Sequence, residues 1–318
     1  MTQDNDQIAA LPHAERIRSL KVRNGVATVI ADAGGLDRAG RDAIERDIRA
    51  AAEKIDGVSE ARVALTSSDP NRTIIAIGSG KGGVGKSTIS ANLAIALARS
   101  GRKVGLIDAD VYGPSQPTLL GHSESPKAEN ERLIPIEAHG IRYLSVGNLV
   151  KPGQALAWRG PMASGALLRL IEADWGDCDT LLVDLPPGTG DVQISLVQKS
   201  TPDGAVIVST PQDLSLIDAE RAVDLFNRVQ VPVIGLIENM SGYTCPHCGK
   251  DSDPFGSGGA EAGAKRLHIP FLGKLPLSMA IRTASDAGTP PALGDDETSA
   301  AFARIAKAMI ESLETIAR

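Results

Sequence analysis

Aromatic side chains are scarce in this sequence: Phe, Trp and Tyr together supply 3% of its 318 residues. Any sizeable core must therefore be aliphatic, and a hydrophobic content of 42% is enough to build at least one. Cysteine is also rare. Three in a chain of this length do not make a disulfide framework. The close pair Cys245 and Cys248 reads instead as metal or redox chemistry, and Cys178, set between two aspartates ahead of a strand, reads as a bystander. No apolar run approaches the roughly 20 residues that cross a bilayer, and the opening "MTQDNDQ" has neither the basic nor the apolar part of a signal peptide. Positive charge is not in excess: a net charge of −6 and a pI near 5.5 argue against general affinity for nucleic acid or anionic membrane. The expectation is a cytoplasmic protein with neither a nucleic-acid nor a membrane partner.

The hydrophobic pattern changes once along the chain. Residues 1–66 read as a small α+β domain, with strand character in "GVATVIADA" (25–33) and "VSEARVAL" (58–65). Between them, "LDRAGRDAIERDIRAAAEKI" (36–55) places Ile44, Ile48 and Ile55 on one helical face. The polar "SSDPNR" (67–72) reads as a linker. From 73 to 318, short β-branched runs alternate with helices: "TIIAIG" (73–78), "KVGLID" (103–108), "TLLVDL" (180–185), "GAVIVST" (204–210) and "VPVIGLIEN" (231–239). Such runs predict strands buried on both faces, in an α/β fold with a mostly parallel sheet and helices on either side. After Asp296, Phe302, Ile305, Met309, Leu313 and Ile316 recur at helical spacing, which predicts a helix docked on the core. It carries too few cations for a membrane-seeking tail.

The stretch "GSGKGGVGKST" (78–88) lies between a strand and a helix. Gly80, Gly85, Lys86 and Ser87 satisfy the phosphate-loop pattern G-x-x-x-x-G-K-[ST]. The loop from Gly80 through Gly82, Gly83, Val84 and Gly85 to Thr88 turns backbone N–H groups inward around phosphates, Lys86 reaches the β and γ oxygens, and Ser87 can ligate Mg²⁺. One lysine suffices for that task, so Lys81 is surplus. Asp108, Asp110 and Asp184 fall at the carboxyl ends of strands, where open α/β sheets place ligands. Phosphoryl transfer needs such carboxylates to hold Mg²⁺ and orient water. The turn "PPGTG" after Asp184 offers Gly188 as a sensor of the γ-phosphate, and Asn239 ends a strand with an amide that can give one donor and one acceptor to an adenine edge.

"TCPHCGK" (244–250) admits three readings from its residues: half of a zinc knuckle, a redox pair, or half of an iron–sulfur site. The redox reading fits the context poorly, because the pair follows a nucleotide-fold strand and precedes the glycine-rich "PFGSGG". Zinc and [4Fe–4S] both usually take four protein ligands, and one chain supplies two. A homodimer would complete the set. His247 between the thiols reads as a spacer.

The strings "GKGGVGKST", "DADVYGPSQP", "WRGPMASGALLRLI", "DWGDCDTLLVDLPPGTGD", "TPQDLSLIDAERAVDLF", "ENMSGYTCPHCG" and "FGSGGAE" together resemble the Mrp/ApbC (Nbp-type) P-loop ATPases, iron–sulfur cluster carriers of the MinD/ParA superfamily. The resemblance runs from about Thr73 to the end. It implies that Lys81 is the signature lysine of the deviant Walker A motif, crossing a face-to-face homodimer to the partner's nucleotide. It also implies that Asp110 is the switch I aspartate acting on the attacking water, Asp184 the Walker B aspartate near Mg²⁺, and Asn239 a base-binding residue. Lys81, Lys86 and Asp110 then form the catalytic set, ATP and Mg²⁺ are the cofactors, and Cys245 and Cys248 hold a [4Fe–4S] cluster destined for apo iron–sulfur proteins. The amino-terminal domain resembles a shortened MIP18-like module. It lacks that module's Asp-Pro start and Thr…Cys-Pro segment, so it is expected to dock or to support rather than to hold metal. The competing classes are a MinD/ParA-type positioning ATPase and a zinc-stapled dimeric ATPase.

Overall fold

Thr73 begins the larger of two units, Met1–Arg72 and Thr73–Arg318, each with its own core. The structure, a computed structural model, describes residues 8, 11–23, 25–33, 36, 38–66, 72–129, 132–149 and 160–316. Of the expected linker, residues 67–71 lie outside the described residues, as do Trp158 and Arg159 of the "WRGPM" string.

The smaller unit is a three-stranded sheet, β1 (Ile17–Arg23), β2 (Val26–Asp32) and β3 (Glu60–Thr66), with helix α1 (Arg38–Ala52) between the second and third strands. β1 and β2 pair antiparallel and β2 and β3 parallel, so α1 is the crossover that a parallel pair requires. Ile44 and Ile48 are buried against Leu20 and Val29. The expected helix to residue 55 stops at Ala52. Turn bonds from Lys54 N to Ala51 O and from Ile55 N to Ala52 O replace the helical ladder, and Ile55 packs on the core from that turn. Strand β1 was not anticipated, because an irregularity in its pairing between Ile17 and Ser19 breaks the alternation of its apolar residues.

In the larger unit the elements run β4 (Thr73–Gly78), α2 (Lys86–Arg99), β5 (Val104–Asp108), β6 (Ile136–Ala138), β7 (Ile141–Ser145), α3 (Gly160–Ile171), β8 (Thr180–Asp184) and α4 (Asp191–Ser200). They continue β9 (Gly204–Ser209), α5 (Asp213–Arg228), β10 (Val233–Glu238), a short hairpin β11 (Tyr243–Thr244) and β12 (Asp251–Ser252), α6 (Gly259–Leu267), β13 (Phe271–Lys274), α7 (Met279–Asp286) and α8 (Glu297–Ile316). Among the described residues eight strands form one sheet in the order β13-β10-β9-β4-β8-β5-β7-β6, parallel except for the edge pair β6 and β7. Every residue of β5, β8, β9 and β10 is buried, as their unbroken apolar runs predict.

Two aliphatic clusters cover the sheet. One carries residues of α3, α4, α5 and α6, and the other carries α2 and α8. Phe302, Ile305 and Met309 of α8 are buried there, which bears out the docked helix, whereas Ile316 in the last turn is exposed. Among the described residues no helix is long and apolar enough to cross a membrane. Parallel pairing brings the carboxyl ends of the central strands to one edge. Asp184 lies beside both Ile77 and Asp108, and Glu238 lies beside Ser209.

Candidate functional site

The loop after β4 and the first turn of α2 make a cradle at that edge. Gly82 and Gly83 are exposed, and nothing lies within 4 Å of where a Cβ on Gly83 would project. Val84 is buried and anchors the loop, and Ser87 and Thr88 open the helix half-buried. Gly80 is required by contact, since a Cβ there would collide with the backbone carbonyl of Asp218 on α5. Gly85 is required twice: its φ of 82° is left-handed, and a Cβ would run into the Asn239 amide. Gly85→Ala should therefore distort the loop, costing about 1–2 kcal/mol from the backbone alone and lowering ATP affinity at least about tenfold, the equivalent of ~1.4 kcal/mol. Equilibrium titration with a fluorescent ATP analogue checks this, and wild-type affinity would contradict it.

Lys86 is 5% exposed. Its Nζ lies 2.5 Å from Asp184 Oδ1 and 3.8 Å from Asp110 Oδ2. Ser90 Oγ donates to the same Asp184 oxygen at 3.0 Å, and Gln116 Nε2 donates to Asp184 Oδ2 at 3.0 Å and to the Ser87 carbonyl at 3.0 Å. Gln116 is fully buried, yet its Oε1 has no hydrogen-bond partner among the described residues. An orphaned acceptor beside two carboxylates and a serine hydroxyl makes an oxygen-rich donor set, which suits a hydrated Mg²⁺. Lys81 differs: no described carboxylate lies within ion-pair distance of its ammonium, and its carbonyl accepts from Ser79 Oγ at 3.0 Å.

Asp110 Oδ1 accepts from the amides of Tyr112 and Gly113 at 3.1 and 3.2 Å, which leaves Oδ2 turned toward Lys86. Burial holds its carboxyl above the usual range, with Lys86 opposing. Asp108 is a bracing residue. Its carboxylate accepts from the amides of Asp110, Ser115 and Gln116 at 3.2, 3.0 and 3.1 Å and from Ser145 Oγ at 2.8 Å, so it organises the loop that carries Asp110. Burial, then the charge of Asp184, pushes its pKa up to about 7.

A carboxyl raised in the folded state holds a proton that the unfolded chain has released. The contribution of Asp108 to stability therefore falls as pH rises from about 4 through about 7 and is level above. Asp108→Asn removes that slope. The melting temperature of the variant relative to wild type should climb by several degrees between pH 5 and pH 8, at about 2–4 °C per kcal/mol for a unit of this size. A gap independent of pH would contradict the assignment.

At the end of β10, Asn239 Nδ2 donates to the Val84 carbonyl at 2.8 Å, so one amide hydrogen is committed to the phosphate loop and Oδ1 with the second hydrogen remains for a base. Gly188, with φ of 101°, donates its amide to the Ser79 carbonyl at 2.9 Å, which ties the turn after Asp184 to the same loop. Beyond Asn239 the hairpin of β11 and β12 presents Cys245, half-buried, and Cys248, exposed. Cys245 N donates to the Lys250 carbonyl at 3.0 Å, and Gly249 N returns to the Cys245 carbonyl at 2.8 Å. The amides of His247 and Cys248, then the Cys248 side chain, hold the Cys245 thiol below its ordinary range. This is a knuckle suited to a metal-bound thiolate. No group of three or more His, Cys, Asp or Glu side chains placed to hold a metal ion occurs among the described residues, so the thiols stand as a pair.

Three participants escaped the sequence reading. Gln116, Ser145 and Ser90 are lone polar residues whose partners are far along the chain, and no spacing rule marks them. Leu214 and Ile217, 72% and 47% exposed, carry apolar surface on the same turns of α5 as Asp218, which abuts Gly80. They stood in "TPQDLSLIDAERAVDLF" without a role.

Comparison with known proteins identifies the family. Residues 71–310 match the family model of the NUBPL iron-transfer P-loop NTPases within ParA. The chain is 47% identical over 272 residues to an iron–sulfur cluster carrier protein of Deinococcus radiodurans, covering 82% of this chain and 77% of that one. It is 45% identical over 250 residues to an Arabidopsis thaliana mitochondrial iron–sulfur protein required for NADH dehydrogenase, covering 77% and 80%. Among solved structures, a nucleotide-binding protein of Archaeoglobus fulgidus in complex with ADP superposes with a TM-score of 0.62 at 37% identity, covering 71% of this chain and 89% of that one. The cell-division ATPase MinD of Pyrococcus furiosus shares the fold, with a TM-score of 0.57 at 23% identity, covering 75% and 98%. The chain belongs to the NUBPL iron-transfer P-loop NTPases of the ParA family.

Proposed function

We propose that the protein is an ATP-dependent iron–sulfur cluster carrier: a homodimer binds one [4Fe–4S] cluster between two Cys245–Cys248 pairs and passes it to apo proteins. The observation that carries this reading is the chain path at β10. Asn239 grips the phosphate loop, and within six residues the same segment presents Cys245 at the same edge of the sheet.

In this reading Lys86, now paired with Asp184, would turn to the β and γ phosphates, and Asp184 and Ser87 would hold Mg²⁺. The bound Mg²⁺ supplies neutralisation of phosphate charge. Asp110, braced by Asp108, orients the attacking water. The open cradle at Gly82 and Gly83 receives the phosphates, and Lys81, free of a described carboxylate, reaches the second chain's nucleotide. The exposed Leu214 and Ile217 give that face apolar surface for a partner copy. The cluster is cargo rather than a resident cofactor, which suits a ligand pair that is exposed and incomplete in one chain.

The relatives' names favour iron over zinc, and the MinD likeness speaks to fold alone. The test is transfer: protein reconstituted anaerobically and desalted is mixed with a cluster-free [4Fe–4S] acceptor enzyme, with and without Mg-ATP. Acceptor activity should appear. An acceptor that stays inactive while the carrier keeps its metal, or a carrier that retains only zinc, would overturn the reading.

A further inference from the structure

Glu238 is the last residue of β10 and is fully buried, yet it lies outside every role assigned so far. Its carboxylate accepts three hydrogen bonds from one segment of chain. Oε1 accepts from Ser241 Oγ at 2.5 Å and from Gly258 N at 2.9 Å, and Oε2 accepts from Ala260 N at 2.7 Å. Ser241 is where the cysteine-bearing loop leaves the sheet, and Gly258 is the N-cap of α6, where that loop returns. One carboxylate thus ties both feet of the loop that holds Cys245 and Cys248. It also satisfies amides of the first turn of α6 that would otherwise lack acceptors.

The neighbouring residues tie the same feet to the nucleotide side. Asn239 Nδ2 holds the Val84 carbonyl, and Asn239 N donates to Ser209 O at 2.8 Å. Met240, between the two anchors, has φ of 61°, a left-handed conformation that a residue with a Cβ adopts only under constraint. Ser241 N and the Gly242 carbonyl are pinned to Leu275 and Leu277 at 2.9 Å each. There is thus little slack between the phosphate loop and the feet of the cysteine loop. Along this path a displacement of Val84 would reach Asn239 and, through Met240, Ser241 and its carboxylate clamp.

We propose that Glu238 is a positioning residue that couples nucleotide occupancy to the pose of the two thiols within a single chain. The proposal rests on the carrier reading for what the thiols hold, but not for the coupling itself. Glu238→Gln is the discriminating substitution, because it keeps the volume and at most one acceptor while turning an N–H₂ toward donors that need an acceptor.

The measurement is the rate at which iodoacetamide alkylates Cys245 and Cys248 in reduced, metal-free protein, read by mass spectrometry, with and without saturating Mg-AMP-PNP. Wild type should show a nucleotide-dependent change of about fivefold or more, the low end of coupling between linked sites. In Glu238→Gln the two rates should converge, while AMP-PNP affinity stays within about twofold, a shift of under 0.5 kcal/mol. Ser241→Ala, which removes one of the three donors and leaves the backbone clamp, should give an intermediate ratio and guards against a folding defect in the first variant.

A wild-type rate indifferent to nucleotide would overturn the coupling, as would an undiminished response in Glu238→Gln. Failure of the carrier reading looks different: the alkylation response would stand while reconstituted protein held no iron.

Discussion

Cys245→Ala or Cys248→Ala should each yield a folded protein that binds ATP normally and loses its cluster on desalting. In the proposed dimer each chain would contribute two thiolates, so either substitution would remove two of the four ligands at once. Three-coordinate capture is not available to rescue it. The cost to folding is small because the knuckle is at the surface, with Cys248 exposed and Cys245 half-buried. Surface changes of this kind stay within about 0.5 kcal/mol. Cys178 inverts the pattern. It is 3% exposed in the core beside Trp175 and Leu181, so Cys178→Ala should cost about 1 kcal/mol of stability and leave the cluster intact. Visible absorption after anaerobic reconstitution separates Cys178→Ala from the other two. A broad band near ~400 nm that survives in the Cys245→Ala, Cys248→Ala double variant would remove the thiols from the site.

The second large effect separates the two lysines. Lys86→Ala takes the cation away from Asp184, which is fully buried, and breaking such a pair costs about 3–5 kcal/mol because a charge is left uncompensated. The variant should melt well below wild type and lose ATP affinity by about a hundredfold, as expected for a charge-assisted contact of ~3 kcal/mol. Lys81→Ala should do neither, since no described carboxylate pairs with that ammonium. Its loss should appear only in hydrolysis and in the ability of ATP to tighten the dimer.

Mixing two inactive variants tests the trans role without the instability of Lys86→Ala. Lys81→Ala chains keep Asp110, and Asp110→Ala chains keep Lys81. In a mixed dimer the Lys81→Ala site receives its partner's intact lysine, so one site of two should hydrolyse ATP again. With subunit exchange shown independently, no recovery on mixing would return Lys81 to an ordinary loop lysine.

The architecture was legible because its signals are local. β-branched runs buried on both faces announce themselves, and the phosphate loop is a contiguous string between a strand and a helix. Strands β6 and β13 were missed, being short and only partly buried at the two edges of the sheet, and β7 was missed because Arg142 and Ser145 break its apolar run although four of its five residues are buried. Site residues divided in the same way. Lys86, Asp110, Asp184 and the two cysteines lie in recognisable strings, and the chain path converges the first three. The bond from Asn239 to Val84 spans 155 residues and that from Gln116 to Asp184 spans 68, and neither leaves a periodic trace in the sequence. Glu238 stands unmarked inside the run "VPVIGLIEN". Only the return of the loop at Gly258 and Ala260 shows why a carboxylate is tolerated in that fully buried position.

The central claim, that one cluster is shared by two chains, is tested most directly by native mass spectrometry of anaerobically reconstituted protein together with iron and sulfide analysis. The expected species is a dimer carrying about four iron and four sulfide per pair of chains, with apo protein containing no metal-bridged dimer. A monomer holding its own cluster, or a dimer bridged by zinc with no sulfide, would contradict it.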